Sequence, residues 1–355
     1  MFNDIYIMFI IATFVIAFTV VPLSIKLAFA VGAVDRPDPR KVHAHTMPRL
    51  GGVGIFTAFM LGILFMQDLP FAFRGIIYGG IIIFLVGILD DMYQLSAWIK
   101  LIGQIAAAAM AVYCGITVDF VTNPFDGLLN LGVLSVPVTL LWIIGITNAI
   151  NLIDGLDGLA GGVSLIAALS LGIIALLKGN MPVFYVSLLL VAAISGFLPY
   201  NFHPARTFMG DGGSNFLGFV LACLAVMGTA KGATAISLFL PIVILGIPIF
   251  DTCFAIIRRV NKGTPIFKPD KEHLHHRLMA LGLSHRKCVL VIYGISGVFA
   301  SVAVLLSFTS SPRALWALGA LLILVIFAAD KIGLLRGDTA AAPALKSGEA
   351  HRFNG

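Results

Sequence analysis

The sequence predicts an all-α fold: a polytopic integral membrane protein with about eleven transmembrane helices, its N-terminus outside and its C-terminus cytoplasmic. Three observations predict it. Of the 355 residues 59% are hydrophobic and only 11% are charged, and the mean hydropathy is +1.02. Apolar runs of about 20 residues, the length that crosses a bilayer as a helix, recur along nearly the whole chain. The basic residues fall mostly on one side of the spans those runs define, which orients them.

The runs lie at roughly 5–31, 51–66, 75–89, 98–114, 137–150, 163–177, 182–200, 214–230, 234–257, 288–308 and 313–330. The first follows Asp4 rather than basic residues and is too long for a cleaved leader despite Ala28-Phe29-Ala30, so it reads as a membrane helix that begins outside. With that start, nineteen Lys and Arg residues face inward, and only Arg74, Lys178, Lys231 and Arg313 face outward. Residues 1–335 read as one transmembrane domain, and 336–355, rich in Ala, Gly and polar residues, as a flexible cytoplasmic tail. Cys114, Cys223, Cys253 and Cys288 have neither pairing nor metal spacing and read as small core residues.

The connections carry the chemistry. The first inner loop, Gly32 to Gly52, is stiffened by Pro37, Pro39 and Pro48 and made cationic by Arg36, Arg40, Lys41, His43, His45 and Arg49. It suits a phosphate-bearing ligand, or lipid headgroups. The third span ends in Asp90 and Asp91, an adjacent pair whose repulsion calls for water or a metal ion. Asp119 to Gly127 reads as a turn-rich outer hairpin.

Asn148 to Gly162, N-A-I-N-L-I-D-G-L-D-G-L-A-G-G, joins the fifth and sixth spans. If helical, it puts Asn151, Asp154 and Asp157 on roughly one face, with Gly155 and Gly158 admitting a close neighbour. It reads either as an oxygen-rich pocket for a hard cation or polar ligand, or as a solvated glycine turn. Met209 to Ser214 sets Asp211 among glycines that would let a phosphate reach backbone N–H groups at a helix start. Asp251 is either a functional intramembrane acid or a helix-end partner of Arg258 or Arg259. The longest and most basic inner loop, Arg258 to Lys287, gathers His273, His275, His276 and Arg277. A zinc site lacks a suitably spaced fourth ligand there, so an anionic diphosphate fits better, held by charge-assisted hydrogen bonds.

Inner acids, basic loops and a hydrophobic scaffold together describe phosphoryl transfer to a lipid. Anionic reactants need a cation between them, and oxygen ligands beside phosphate point to Mg²⁺, with Mn²⁺ as its substitute. The rival outside enzymology is a secondary transporter. Transporters place polar residues near the midplane within repeats, whereas here the acids sit at inner span ends and no repeat is visible.

The ordered set P-R-L-G-G at Pro48, L-D-D at Leu89, N-x-x-D-G-x-D-G at Asn151, M-G-D-x-G-S at Met209 and H-x-H-H at His273 resembles the polyprenyl-phosphate N-acetylhexosamine-1-phosphate transferases, a glycosyltransferase family 4 type. The resemblance covers roughly residues 5–330 and is to the bacterial undecaprenyl-phosphate GlcNAc-1-phosphate branch. The peptidoglycan branch, which uses UDP-MurNAc-pentapeptide, shows three consecutive histidines and T-P-T-M-G-G, where this chain has H-L-H-H-R and M-P-R-L-G-G. The CDP-alcohol phosphotransferases carry an Arg soon after their D-G, and Gly158-Leu159-Ala160 does not.

The resemblance implies that Asp211, helped by Asn151, ligates the metal, and that Asp90 and Asp91 lie beside the metal and the lipid phosphate. It implies that Asp157, and with it Asp154, contacts the uracil-ribose end of a UDP-sugar. His273, His275, His276 and Arg277 would hold the diphosphate and sugar, with Lys41 and Arg49 also binding substrate. The reaction implied is transfer of GlcNAc-1-phosphate from UDP-GlcNAc to undecaprenyl phosphate at the bacterial inner membrane, with release of UMP. It would start an O-antigen, an enterobacterial common antigen or a teichoic acid linkage unit. The same reaction with another UDP-sugar is the alternative. Partners are then membrane lipid and a second copy in a homodimer, with no nucleic acid. A phosphate monoester is already largely a dianion at neutral pH, so Asp90 and Asp91 are expected to place metal and phosphate rather than abstract a proton.

Overall fold

The computed structural model describes residues 4–36, 45–122, 128–230, 239–265, 272–308, 313–331 and 334. Those residues are all-α apart from two short antiparallel strand pairs. Its helices are α1 (Asp4–Val31), α2 (Gly52–Phe65), α3 (Ala72–Tyr93), α4 (Ala97–Tyr113), α5 (Ser135–Ile153), α6 (Leu159–Leu177), α7 (Met181–Asn201), α8 (Gly210–Ala230), α9 (Leu240–Ile244), α10 (Gly246–Asn261), α11 (Leu274–Ala280), α12 (His285–Ser307) and α13 (Arg313–Lys331). Strands β1 (Val34–Asp35) and β2 (Met47–Pro48) pair antiparallel, as do β3 (Phe120–Thr122) and β4 (Leu128–Asn130). The second pair lies where the outer hairpin is expected.

Among the described residues seven helices are long and apolar enough to cross a membrane: α1, α3, α5, α6, α7, α8 and α12. Two further expected spans are shorter, α2 with 14 residues and α4 with 17. The ninth is broken at Leu245, between α9 and α10. Pro248 has no N–H to give the Ile244 carbonyl, so the helix cannot run on through that turn. The tail, 336–355, lies outside the described residues.

α8 is the central helix, 89% buried over its apolar window and in contact with α2, α3, α5, α6 and α7. Lipid tails are as apolar as leucine, so helices in a bilayer associate through close backbone approach and interhelical hydrogen bonds. Both are present. Gly87 of α3 packs on the Gly212 backbone, Gly52 of α2 on Gly213, and Gly218 of α8 on Thr147 of α5; a Cβ on any of the three would meet backbone. Gln104 of α4 exchanges amide hydrogen bonds with Asn148 of α5 at 3.1 and 2.8 Å. It also donates to Asn215 of α8 at 3.4 Å. The outward faces of α1 and α13 carry the exposed Ile, Leu and Phe expected against lipid.

Helix direction alternates, so one end of the bundle collects the ends of α3, α5 and α7 and the starts of α2, α4, α6, α8 and α12. Asp90, Asp91, Lys100, Asp154, Asp211 and His285 all come to that end.

Candidate functional site

Asp90 and Asp91, adjacent in sequence, point different ways because neighbouring helical positions diverge by about 100°. Asp90 accepts from Leu95 N at 2.7 Å and from Lys100 Nζ at 2.8 Å. Lys100 also stands 3.5 Å from Asp211. Asp91 turns the other way and accepts from the N–H groups of Asp211 at 2.9 Å and Gly212 at 3.0 Å. It is a cap for α8 supplied by another helix.

This corrects the expectation for Met209 to Ser214. The N–H groups of Asp211 and Gly212 are taken by Asp91, so they form no open phosphate cradle, and the glycines serve helix crossing instead. Gly210 is the exception that needs its conformation: φ is +75°, and a Cβ there would run into Arg49 O and Asp91. Asp211 itself accepts from Asn151 Nδ2 at 3.2 Å, and the same amide donates to Ser214 Oγ at 2.8 Å. Asn151 therefore holds Asp211 in place.

The loop from Asp154 to Gly158 faces Asp211. Asp154 makes no side-chain hydrogen bond among the described residues, and burial, with the charges of Asp211 and Asp91, pushes its carboxyl up to about 7. Asp157 is committed: its Oδ2 accepts from His203 Nδ1 at 2.8 Å and Ala205 N at 3.1 Å. Its own N–H donates to His285 Nε2 at 3.0 Å. Asn201 accepts from Gly158 N at 3.1 Å and Tyr293 donates to Gly158 O at 2.5 Å. Asp157, His203 and His285 bring ligand-type atoms within 4.8 Å of one another. The two imidazoles, however, are stacked at 4.3 Å and 23°, a poor arrangement for sharing one ion, and the atoms that approach are already hydrogen bonded. The trio is a clamp on the loop.

Two cavities meet at this end. The larger, about 460 Å³, is lined by the 154–157 loop, His203, Phe208 and His285. The smaller, about 310 Å³, is lined by Asp90, Asp91, Gln94, Leu95 and Lys100. Asp35, Arg49 and Asp211 line both. The donor set at the junction fits a hard divalent cation. Asp91, Asp154 and Asp211 are buried or half-buried carboxylates close enough to repel, and the side chain of Asp154 has no hydrogen-bond partner among the described residues.

The histidine motif lies behind the larger cavity's wall rather than on it. His273 Nδ1 pairs with Asp251 Oδ2 at 2.8 Å, and Leu274 N donates to Asp251 Oδ1 at 2.8 Å. Asp251 thus serves His273, not Arg258 or Arg259. His275 is 3% exposed and packs on Gly155, where a Cβ would sit 2.7 Å from its Nε2. Burial, then the neighbouring His276 charge, pushes its imidazole down to about 3, so it is neutral near pH ~7. Nor is that loop simply cationic: Glu272 holds Lys262 at 2.8 Å, Arg277 at 3.0 Å and the buried Arg258 at 3.6 Å. Lys41 lies outside the described residues. Cys114, Cys223 and Cys288 are buried and Cys253 is exposed.

Lys100, His203 and His285 are among the site-lining residues that sequence reasoning passed over. Their only local signals are a Lys one turn into the helix after Asp90-Asp91 and a polar pair at inner span ends.

The family model for glycosyl transferase family 4 matches residues 73–229. The chain is 46% identical over 318 residues, 89% of each chain, to the probable undecaprenyl-phosphate N-acetylglucosaminyl 1-phosphate transferase of Bacillus subtilis strain 168. To the decaprenyl-phosphate N-acetylglucosaminephosphotransferase of Mycobacterium tuberculosis it is 37% identical over 345 residues, covering 88% of this chain and 85% of that one. To the undecaprenyl-phosphate alpha-N-acetylglucosaminyl 1-phosphate transferase of Yersinia pestis it is 29% identical over 287 residues, covering 79% and 78%.

Proposed function

The chain belongs to glycosyl transferase family 4, and from that premise we propose that it transfers GlcNAc-1-phosphate from UDP-GlcNAc to undecaprenyl phosphate, releasing UMP. The reaction takes place at the cytoplasmic face of a bacterial inner membrane and starts a cell-envelope glycan. The names of the relatives support donor group and acceptor. The observation that carries the reading is the meeting of two cavities at Asp211. Transfer between two phosphorylated substrates needs two sites that share one reacting centre.

The larger cavity takes the UDP-sugar and the smaller, with Lys100 on its wall, the lipid phosphate. An oxygen of the lipid phosphate attacks the sugar-proximal phosphorus, and the bond from that phosphorus to the oxygen bridging the two phosphates breaks. UMP leaves with the bridging oxygen. The attacking group is a dianion near neutral pH, so no proton has to be removed. Asp90 then holds Lys100, and Asp91 holds the start of α8 and with it Asp211. Asp211 and Asp154, with Asn151 against Asp211, would hold Mg²⁺. Bound there, the ion would supply positive charge against the diphosphate and the charge that develops on it. The clamp on Asp157 fixes the loop that forms the donor wall.

The test is a donor panel on the full-length protein in detergent with undecaprenyl phosphate, scoring UMP and lipid product. UDP-GlcNAc with Mg²⁺ should give both, and EDTA should abolish them. Turnover of UDP-MurNAc-pentapeptide in preference to UDP-GlcNAc would overturn the donor assignment, and full activity in EDTA the metal.

A further inference from the structure

Of the three residues common to both cavities, two are acids and the third is Arg49. It is the one cation among the described residues that faces both. Its side chain is half-buried and has no hydrogen bond or ion pair among the described residues, although it lies close enough to act on both Asp91 and Asp154. A guanidinium presents five donors in a planar fork and is costly to leave half-buried and unmatched. Carboxylates stand near, yet among the described residues none takes the fork. The ligand class that matches it is phosphate, bidentate or bridging.

The backbone holds this side chain in register with Asp211. Arg49 N donates to Ala33 O at 3.1 Å, Phe208 N to Pro48 O at 2.8 Å, and Gly51 N to Phe208 O at 3.0 Å. Thr207 Oγ1 adds a bond to Pro48 O at 3.0 Å. The carbonyl of Arg49 lies against Gly210, so tightly that no Cβ fits between them. The segment after β2 that carries Arg49 and the start of α8 that carries Asp211 are one laced unit.

We propose that Arg49 is a catalytic residue whose guanidinium spans the junction, bonding an oxygen of the donor diphosphate on one side and of the lipid phosphate on the other as phosphorus passes between them. This rests on the phosphoryl-transfer reading above and adds a shared contact to it. A cation touching both reactants is worth most when they are closest, so it acts on turnover more than on either affinity.

The experiment measures kcat and KM for UDP-GlcNAc and for undecaprenyl phosphate in the full-length protein and in Arg49→Ala and Arg49→Lys. Arg49→Ala should lower kcat by about 100-fold or more, with each KM within about threefold, and added guanidinium should restore part of the rate. Arg49→Lys, one charge without the fork, should fall between, and it serves alone if the alanine variant does not fold. A rise of more than about tenfold in one substrate's KM, with kcat nearly unchanged, would confine Arg49 to one cavity and overturn the proposal. So would an unaltered rate. Failure of the unsubstituted protein to release UMP at all would instead sink the parent reading.

Discussion

The two cavities that meet at Asp211 are built on opposite principles. In the smaller, every carboxylate except the shared pair is committed: Asp90 to Lys100 and Leu95 N, Asp91 to the first amides of α8. In the larger, Asp157 is spent on the loop clamp, and the groups facing Asp211 across the junction, Asp154 and Arg49, have no bonded partner among the described residues. The acid wall is thus fixed before any ligand arrives, while the opposite wall keeps one negative and one positive group open. Preorganisation on one side and unspent charge on the other is the arrangement expected where a fixed centre receives a charged substrate.

Asp91→Ala strikes hardest at the fixed side. It removes acceptors from two buried N–H groups and the favourable charge at the start of α8. We expect unfolding to become easier by about 2 kcal/mol, the scale of a lost cap in a buried setting. Transferase activity should fall about 10³-fold, because Asp211 rides on that turn. Thermal unfolding in detergent and UMP release are the two readouts. An unchanged melting temperature would break the contrast, since Asp91 would then not be holding the helix.

Lys100→Met comes next in size. It removes the cation beside both Asp90 and Asp211 and leaves the smaller cavity with Arg49, shared with the larger one, as its basic side chain. Activity should drop about 100-fold with a raised KM for undecaprenyl phosphate and an unaltered KM for UDP-GlcNAc. The opposite split would exchange the two cavities' substrates.

How far the sequence foresees this site depends on how local each fact is. Span lengths and the inward position of Asp90, Asp91, Asp154 and Asp211 follow from hydropathy and alternation, which need no knowledge of neighbours. Asp90 and Asp91, expected to act as a pair, diverge to separate partners for an equally local reason, since adjacent helical residues point about 100° apart. The M-G-D-G-G-S glycines were not legible, because a phosphate cradle and a helix crossing ask for the same residue. Nor were the Asp251–His273 pair, the Glu272 hub and the Asp157 clamp, which join residues distant in sequence, such as Lys262 to Glu272 and Asp157 to His285, in ways set by which helices pack together. The break at Leu245 was readable in Pro248 but lost within a continuous apolar run.

The smallest expected effect, and the sharpest on the open side, concerns Asp154. In an unfolded chain its carboxyl would titrate near ~4; in the folded protein it holds its proton up to about 7. The folded state therefore binds more protons within that window, and stability of the metal-free protein must fall as pH rises through it. Below the window the carboxyl is protonated in both states, and the penalty vanishes. Asp154→Asn should leave unfolding in EDTA unchanged below pH ~3 and raise stability on the order of 2 kcal/mol near pH ~8. Mg²⁺ should reverse the ranking at the higher pH, because a cation turns an unpaired carboxylate from a cost into a ligand. Equal melting curves at the higher pH in EDTA would mean that Asp154 carries no uncompensated charge. The open wall would then reduce to Arg49 alone.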